Sequence, residues 1–201
     1  MSDLGIPAAP ATAASSIGAP LAPSAASRAS DSADAIRVAV ERTAATVARA
    51  PSLGQGTAVT TVRLRAGLAC DVEEGPHHFT VGVSAKYGGS DAGPSPGVYG
   101  RAALGSCLAI GYAMWAARLG VPIDALEVAV HADYDARGEL AVDESVLPGY
   151  LAMRYVVAVS SPAPEAEVLR VLDTADRFSS WLDDLTRAVP VEREVRFDGA
   201  S

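Results

Sequence analysis

The chain has 201 residues, enough for one domain of ordinary size with a tail. It is 49% hydrophobic and 20% charged, so it can build a core, while its net charge of −8 repels phosphate backbones and argues against a general nucleic-acid binder. Two cysteines, Cys70 and Cys107, are too few for a four-thiolate zinc site, and a domain of this size needs no disulfide framework.

Residues 1–30 contain 10 Ala, 6 Ser and 4 Pro, and the four prolines break any alanine-driven helix. Residues 1–32 therefore read as a disordered tail. They lack the basic start and apolar run of a signal peptide. No stretch approaches 18 uninterrupted apolar residues, so no membrane span is expected. A modest amphipathic helix follows over residues 33–50, with Ser32 or Asp34 as its cap and Pro51 and Gly54 ending it. Being weakly amphipathic, it must dock on another element to be stable.

Thr57–Leu64, Leu68–Glu73 and His77–Val83 alternate apolar and polar residues and are joined by Ala66-Gly67 and Glu74-Gly75-Pro76. They predict an antiparallel meander. After a Gly/Pro-rich loop, Val98–Leu119 predicts a long helix, with Ser95 and Pro96 at its start. Leu104, Cys107, Leu108, Ile110, Met114 and Trp115 spread over most of its circumference, which marks a helix buried on several sides. Gly100, Gly105 and Gly111 weaken it but allow close approach by another backbone.

Leu126–Asp133 and Leu151–Ser160 predict two more strands, the first with a wet face carrying Glu127, His131 and Asp133. Helical spacing runs through Val168, Val171, Leu172, Ala175 and Phe178. Ser180 with Asp183 reads as a capping box for a short last helix, and residues 191–197 as a final strand. The expected organisation is a tail at 1–32 and one domain at 33–201, comprising an N-terminal helix at 33–50 and a core at 57–197. Hairpins alternating with helices give an α+β class. The central helix is apolar on more sides than one small sheet can cover, which predicts a homodimer.

The chemistry-bearing residues are few. The loop Gly88–Gly97 lacks dinucleotide-binding spacing. Gly100–Ser106 has serine where a phosphate-binding lysine is needed and lies within the predicted helix. His77 and His78 are adjacent in a strand and point to opposite faces, and no metal-ligand spacing occurs elsewhere, so no metal or cofactor is expected. The acids between Asp124 and Glu144 read as a solvated strand and turn. Cys107 is the sharpest feature. Its helical neighbours Ala103, Leu104, Ile110 and Gly111 offer neither base nor counter-charge. Two readings stay open: an inert core thiol, or a thiol activated by a group from another segment or a partner chain.

The segment Gly93-Pro-Ser-Pro-Gly-Val-Tyr-Gly-Arg-Ala-Ala-Leu-Gly-Ser-Cys107-Leu-Ala-Ile-Gly-Tyr112 resembles the osmotically inducible and organic hydroperoxide resistance (OsmC/Ohr) family. Arg118-Leu-Gly-Val-Pro122 and the helix after Pro162 are also similar. The resemblance implies an OsmC-like fold: an antiparallel sheet with a long central helix in an intertwined homodimer. It implies a peroxidase that reduces small hydrophobic organic hydroperoxides at the expense of a thiol reductant; composition, charge and the lack of a long apolar run predict a cytoplasmic setting with no nucleic-acid or membrane partner. It places Cys107 on the peroxidatic cysteine and Arg65, with Arg63 as fallback, on the arginine that favours the thiolate. The family's arginine-holding glutamate falls on Gly97 and its second cysteine near Ser179. Serine cannot resolve a sulfenic acid, so an external thiol is expected to recycle Cys107. The alternative is a catalytically degenerate homodimer that binds a ligand or serves a structural role.

Overall fold

Residues 32–197 are described by a computed structural model; most of the expected tail, residues 1–31, and the last four residues lie outside the described residues. The first helix, α1 (Ala33–Arg49), starts where Ser32 Oγ accepts the main-chain N–H of Ala35. It ends at a single 3-10 turn over Pro51–Gly54. As its weak amphipathicity requires, it docks on another helix, the long central α2 (Pro96–Leu119).

Between them lies a three-stranded antiparallel sheet in the order β1 (Thr61–Leu64), β2 (Ala69–Glu74), β3 (His77–Gly82). Its two turns use Gly67 at φ 84° and Gly75 at φ 54°, the left-handed conformations that tight hairpins need. β1 is shorter than the alternation predicts. Its partner β2 ends at Glu74, which stands opposite Thr60 and accepts a hydrogen bond from its hydroxyl, so residues 57–59 have no strand to bond. All four β1 residues are exposed, including Val62 and Leu64. The sheet is tied to the start of α2 by Tyr99, whose hydroxyl donates to Thr80 O at 3.0 Å and whose ring sits 4.9 Å from that of Phe79.

The second sheet is a long hairpin of β4 (Ala125–Tyr134) and β5 (Tyr150–Ser160), joined through the one-turn helix α3 (Ala136–Glu139). That turn, not expected from the sequence, forms because Asp135 caps it and pairs with Arg137. Glu127, His131 and Asp133 face water as the alternation predicts. The opposite face, with Val128, Val130, Met153, Tyr155 and Val157, packs against Leu104, Leu108 and Tyr112 of α2 and Ala175 of α4 (Glu165–Arg177). Gly105 is what lets α2 approach this sheet, since a methyl group there would come within 3.2 Å of a Val130 methyl.

A second cluster of Ala116, Val121, Val168 and Val171 closes the far end. By length and composition alone α2 is apolar enough to cross a membrane. Here it is the core helix, with Leu104, Leu108, Tyr112, Ala116 and Ala117 buried.

The last helix is α5 (Ser180–Thr186), which packs on α2. Its cap is Ser179, one residue before the expected Ser180. Residues 191–197 form no strand. Val191 and Phe197 are about 90% exposed, because no strand among the described residues lies alongside to pair with them.

Candidate active site

Cys107 occupies the middle of α2, on the side that meets the corner between α4 and α5. The chain makes this corner at Phe178-Ser179. The N–H of Ser179 donates to Asp176 O at 3.2 Å as α4 ends, and α5 begins at once. The Ser179 hydroxyl is buried and has two partners. Its oxygen accepts the N–H of Leu182 at 3.3 Å and stands 3.4 Å from Cys107 Sγ. With the lone pair engaged by the helix, its own proton is free to point at the sulfur. Ser180 Oγ lies 3.7 Å from the same sulfur.

The first N–H groups of a helix have no partner inside it, and at α5 those of Ser180 and Trp181 are near enough to the Cys107 sulfur to favour its charged form. Burial pushes the Cys107 thiol up. The hydrogen bonds from Ser179 Oγ, the Trp181 N–H, Ser180 Oγ and the Ser180 N–H together outweigh burial and hold it below its ordinary value. The thiol is half-buried, reachable from solvent, and bears no disulfide. A thiol held low and reachable is the state in which cysteine acts as a nucleophile.

The family resemblance assigns Arg65 to this thiol. The structure gives it a different partner. Just beyond β1, its guanidinium grips both carboxylate oxygens of Asp71 on β2, with Nε–Oδ2 at 2.7 Å, and Nη2 also reaches Thr80 Oγ1 at 3.4 Å. The hydrogen bond from Arg65 holds the Asp71 carboxyl below its ordinary value. The fallback Arg63 pairs with Glu73 at 2.5 Å. Neither arginine acts on Cys107 within one chain; the groups that do are the hydroxyls and N–H groups of residues 179–181. A cleft of about 250 Å³ opens over Arg65, Asp71, His78 and Phe79, away from the thiol.

At the start of α2, Gly97 is enclosed by Tyr150 and Arg101. The Tyr150 hydroxyl donates to Gly97 O at 3.1 Å and accepts from Arg101 Nη1 at 2.9 Å. A β-carbon at position 97 would lie 3.0 Å from that hydroxyl, so Tyr150 fills the space a side chain would need. Cys70 sits on β2, paired across to Leu64 and Val81. Among the described residues no cluster of His, Cys, Asp or Glu is arranged to hold a metal ion.

Residues 88–194, just over half the chain, match the family described as OsmC-like protein. This chain belongs to that family. Solved structures agree on the fold. An OsmC-like protein from Mycoplasma pneumoniae superposes with a TM-score of 0.56 at 14% identity, over 67% of this chain and 90% of that one. A protein from Psychrobacter arcticus, provisionally named for osmotic stress induction and a detoxification response, gives 0.51 at 11% identity, over 64% and 88%. A search of curated proteins finds no match.

Ser179, near which the resemblance places the family's second cysteine, is one of the two serines beside the Cys107 sulfur. Sequence reasoning missed Ser180 and the N–H groups of Ser180 and Trp181. No periodicity signals which residues of a distant segment will face a thiol more than 70 positions earlier.

Proposed function

We propose that this OsmC-like protein is a one-cysteine thiol peroxidase that reduces organic hydroperoxides through Cys107. The observation that carries the reading is the placement of the free, half-buried Cys107 thiol 3.4 Å from Ser179 Oγ and 3.7 Å from Ser180 Oγ, at the start of α5 and within the OsmC-like match. The thiolate attacks the terminal oxygen of ROOH, the O–O bond breaks, and the alkoxide leaves and takes a proton to become ROH. Sulfur is oxidised to the sulfenic acid. Hydrogen bonds already aimed at the sulfur suit the polar S–OH product. With Ser179 at the neighbouring position, no internal disulfide closes. One external thiol displaces water to give a mixed disulfide, and a second releases Cys107. The sum is ROOH + 2 R′SH → ROH + H2O + R′SSR′. Phe178 and Trp181, both exposed beside the corner, favour a small hydrophobic peroxide.

The reading includes a homodimer. The exposed Val62 and Leu64 of β1, the unpaired strand-like residues 191–197 and the exposed Ile110 of α2 are apolar surface that a second copy would cover. In that assembly Arg65 is proposed to leave Asp71 and approach a thiol of the other copy. Free cysteines suit a cytoplasmic setting.

A second reading, a degenerate family member without turnover, is favoured by the Arg65–Asp71 pair and by Tyr150 filling the space at Gly97. Turnover of cumene hydroperoxide with a monothiol and with a dithiol, comparing wild type with Cys107→Ser and Cys70→Ser, separates the two. The peroxidase reading expects loss only in Cys107→Ser. Equal consumption by wild type and Cys107→Ser would end it. Light scattering on the full chain tests the dimer.

A further inference from the structure

Farther along α2 from the thiol lies a polar cluster that the proposed reaction does not use. Tyr112, five residues after Cys107 on α2, is fully buried. Its hydroxyl donates to Asp176 Oδ1 at 2.6 Å. Tyr155 of β5 donates to the other oxygen of the same carboxylate at 2.7 Å. Both phenols are pushed above their ordinary value, first by burial and then by the carboxylate, Tyr155 to about 12, so both remain donors at working pH. Two phenols on one carboxylate form a satisfied, partly buried network, which rigidifies its surroundings.

Asp176 is the penultimate residue of α4, and its main-chain carbonyl accepts the N–H of Ser179. One residue is thus fixed through its side chain to α2 and β5, and through its carbonyl to the serine that meets Cys107. Tyr112 and Cys107 share α2, so the Tyr112–Asp176 bond sets how far the corner stands from the helix that bears the thiol. The Ser179 and Ser180 hydroxyls, 3.4 and 3.7 Å from the sulfur, and the N–H groups beside them offset burial at Cys107 only when the corner sits close. Hydrogen bonds weaken steeply with distance and angle, so a small retreat of the corner removes several at once.

We infer that Tyr112, Asp176 and Tyr155 form a positioning clamp that holds the Ser179–Trp181 corner against Cys107 and thereby sets the reactivity of the thiol. The inference rests on Cys107 being the reactive group, and it concerns the thiol itself, before any peroxide arrives.

The test is the rate of Cys107 alkylation by iodoacetamide against pH, in full-length protein carrying Cys70→Ser so that one thiol reports. Tyr112→Phe, Tyr155→Phe and Asp176→Asn are compared with Val121→Ala, a core change in the second cluster. In the three clamp variants the midpoint should move to higher pH, with alkylation at pH 7 roughly threefold slower or more. Val121→Ala should melt earlier with its midpoint unmoved. Tyr155→Phe, at a half-buried position, carries the test if Tyr112→Phe does not fold. Unmoved midpoints in the folded clamp variants, or an equal shift in Val121→Ala, would overturn the clamp. Hydroperoxide turnover is read separately: shifted midpoints without turnover in any protein keep the clamp and remove the peroxidase, and turnover with unmoved midpoints does the reverse.

Discussion

Cys107 Sγ and Ser179 Oγ stand 3.4 Å apart, 72 residues distant in sequence, and the Ser179 oxygen also closes the first turn of α5 through the N–H of Leu182. One hydroxyl therefore serves the thiol and the helix together. The first two predictions follow from this arrangement.

Ser179→Cys places a second sulfur beside Cys107. A rotation of either side chain brings them to bonding distance, so oxidised protein should contain a disulfide between Cys107 and the introduced thiol. Peptide mapping after one equivalent of hydroperoxide checks it. Turnover should then favour a dithiol over a monothiol, and stability of the reduced form should fall by about 1 kcal/mol because the cap is lost. Absence of the disulfide would show that the corner holds the two groups apart.

The alkylation midpoint of Cys107 should lie below that of a free thiol. The sign follows from the balance at the sulfur: burial raises the thiol, and the hydrogen bonds to the charged form lower it further. Thiolate is the attacking species, so alkylation rises with pH and levels off above the midpoint. Ser179→Ala removes one of these bonds and should move the midpoint up. A midpoint that stays or falls would mean that burial, not hydrogen bonding, governs the group.

Gly97→Glu should destabilise the fold by about 1–2 kcal/mol despite a new opportunity to pair with Arg101. The new β-carbon meets the Tyr150 hydroxyl at 3.0 Å, and the bond from Tyr150 to Gly97 O must yield. Urea unfolding measures it. Unchanged stability would show that Tyr150 swings aside without cost.

Leu108→Ala should cost about 2–5 kcal/mol, because Leu108 is 1% exposed and the α2–sheet contact cannot collapse around the gap. Thermal melting reads the loss. A cost under about 1 kcal/mol would argue that the sheet closes onto the helix.

Much of the fold is legible in the sequence because it depends on local period. Val128, Val130, Met153 and Tyr155 face α2 as their alternation requires, and Val168, Val171 and Ala175 lie on one buried stripe of α4. Residues 191–197 have the same alternation and form no strand, because a strand needs an edge as well as a pattern. The capping serine is Ser179 and not Ser180 because the corner turns one residue earlier, tied by the Asp176 carbonyl. At the site, Cys107 and the place of Ser179 are legible through the family's cysteine segment. The Tyr112–Asp176–Tyr155 cluster is not, since it joins three elements and none of its members breaks the local pattern. Arg65 is legible as a basic residue near the end of β1. Its grip on Asp71 depends on the hairpin register, which sets Arg63 opposite Asp71 and so brings the next arginine within reach of it.

Because Ser179 is shared, the oxidation state of Cys107 and the integrity of α5 are thermodynamically linked. Any group on the sulfur that draws the Ser179 proton more strongly must tighten the first turn of the helix or loosen it. Whatever loosens the helix must change the sulfur by an equal free energy. The seven residues of α5 are thus a built-in reporter: their amide exchange should read the chemical state of a sulfur that belongs to another helix.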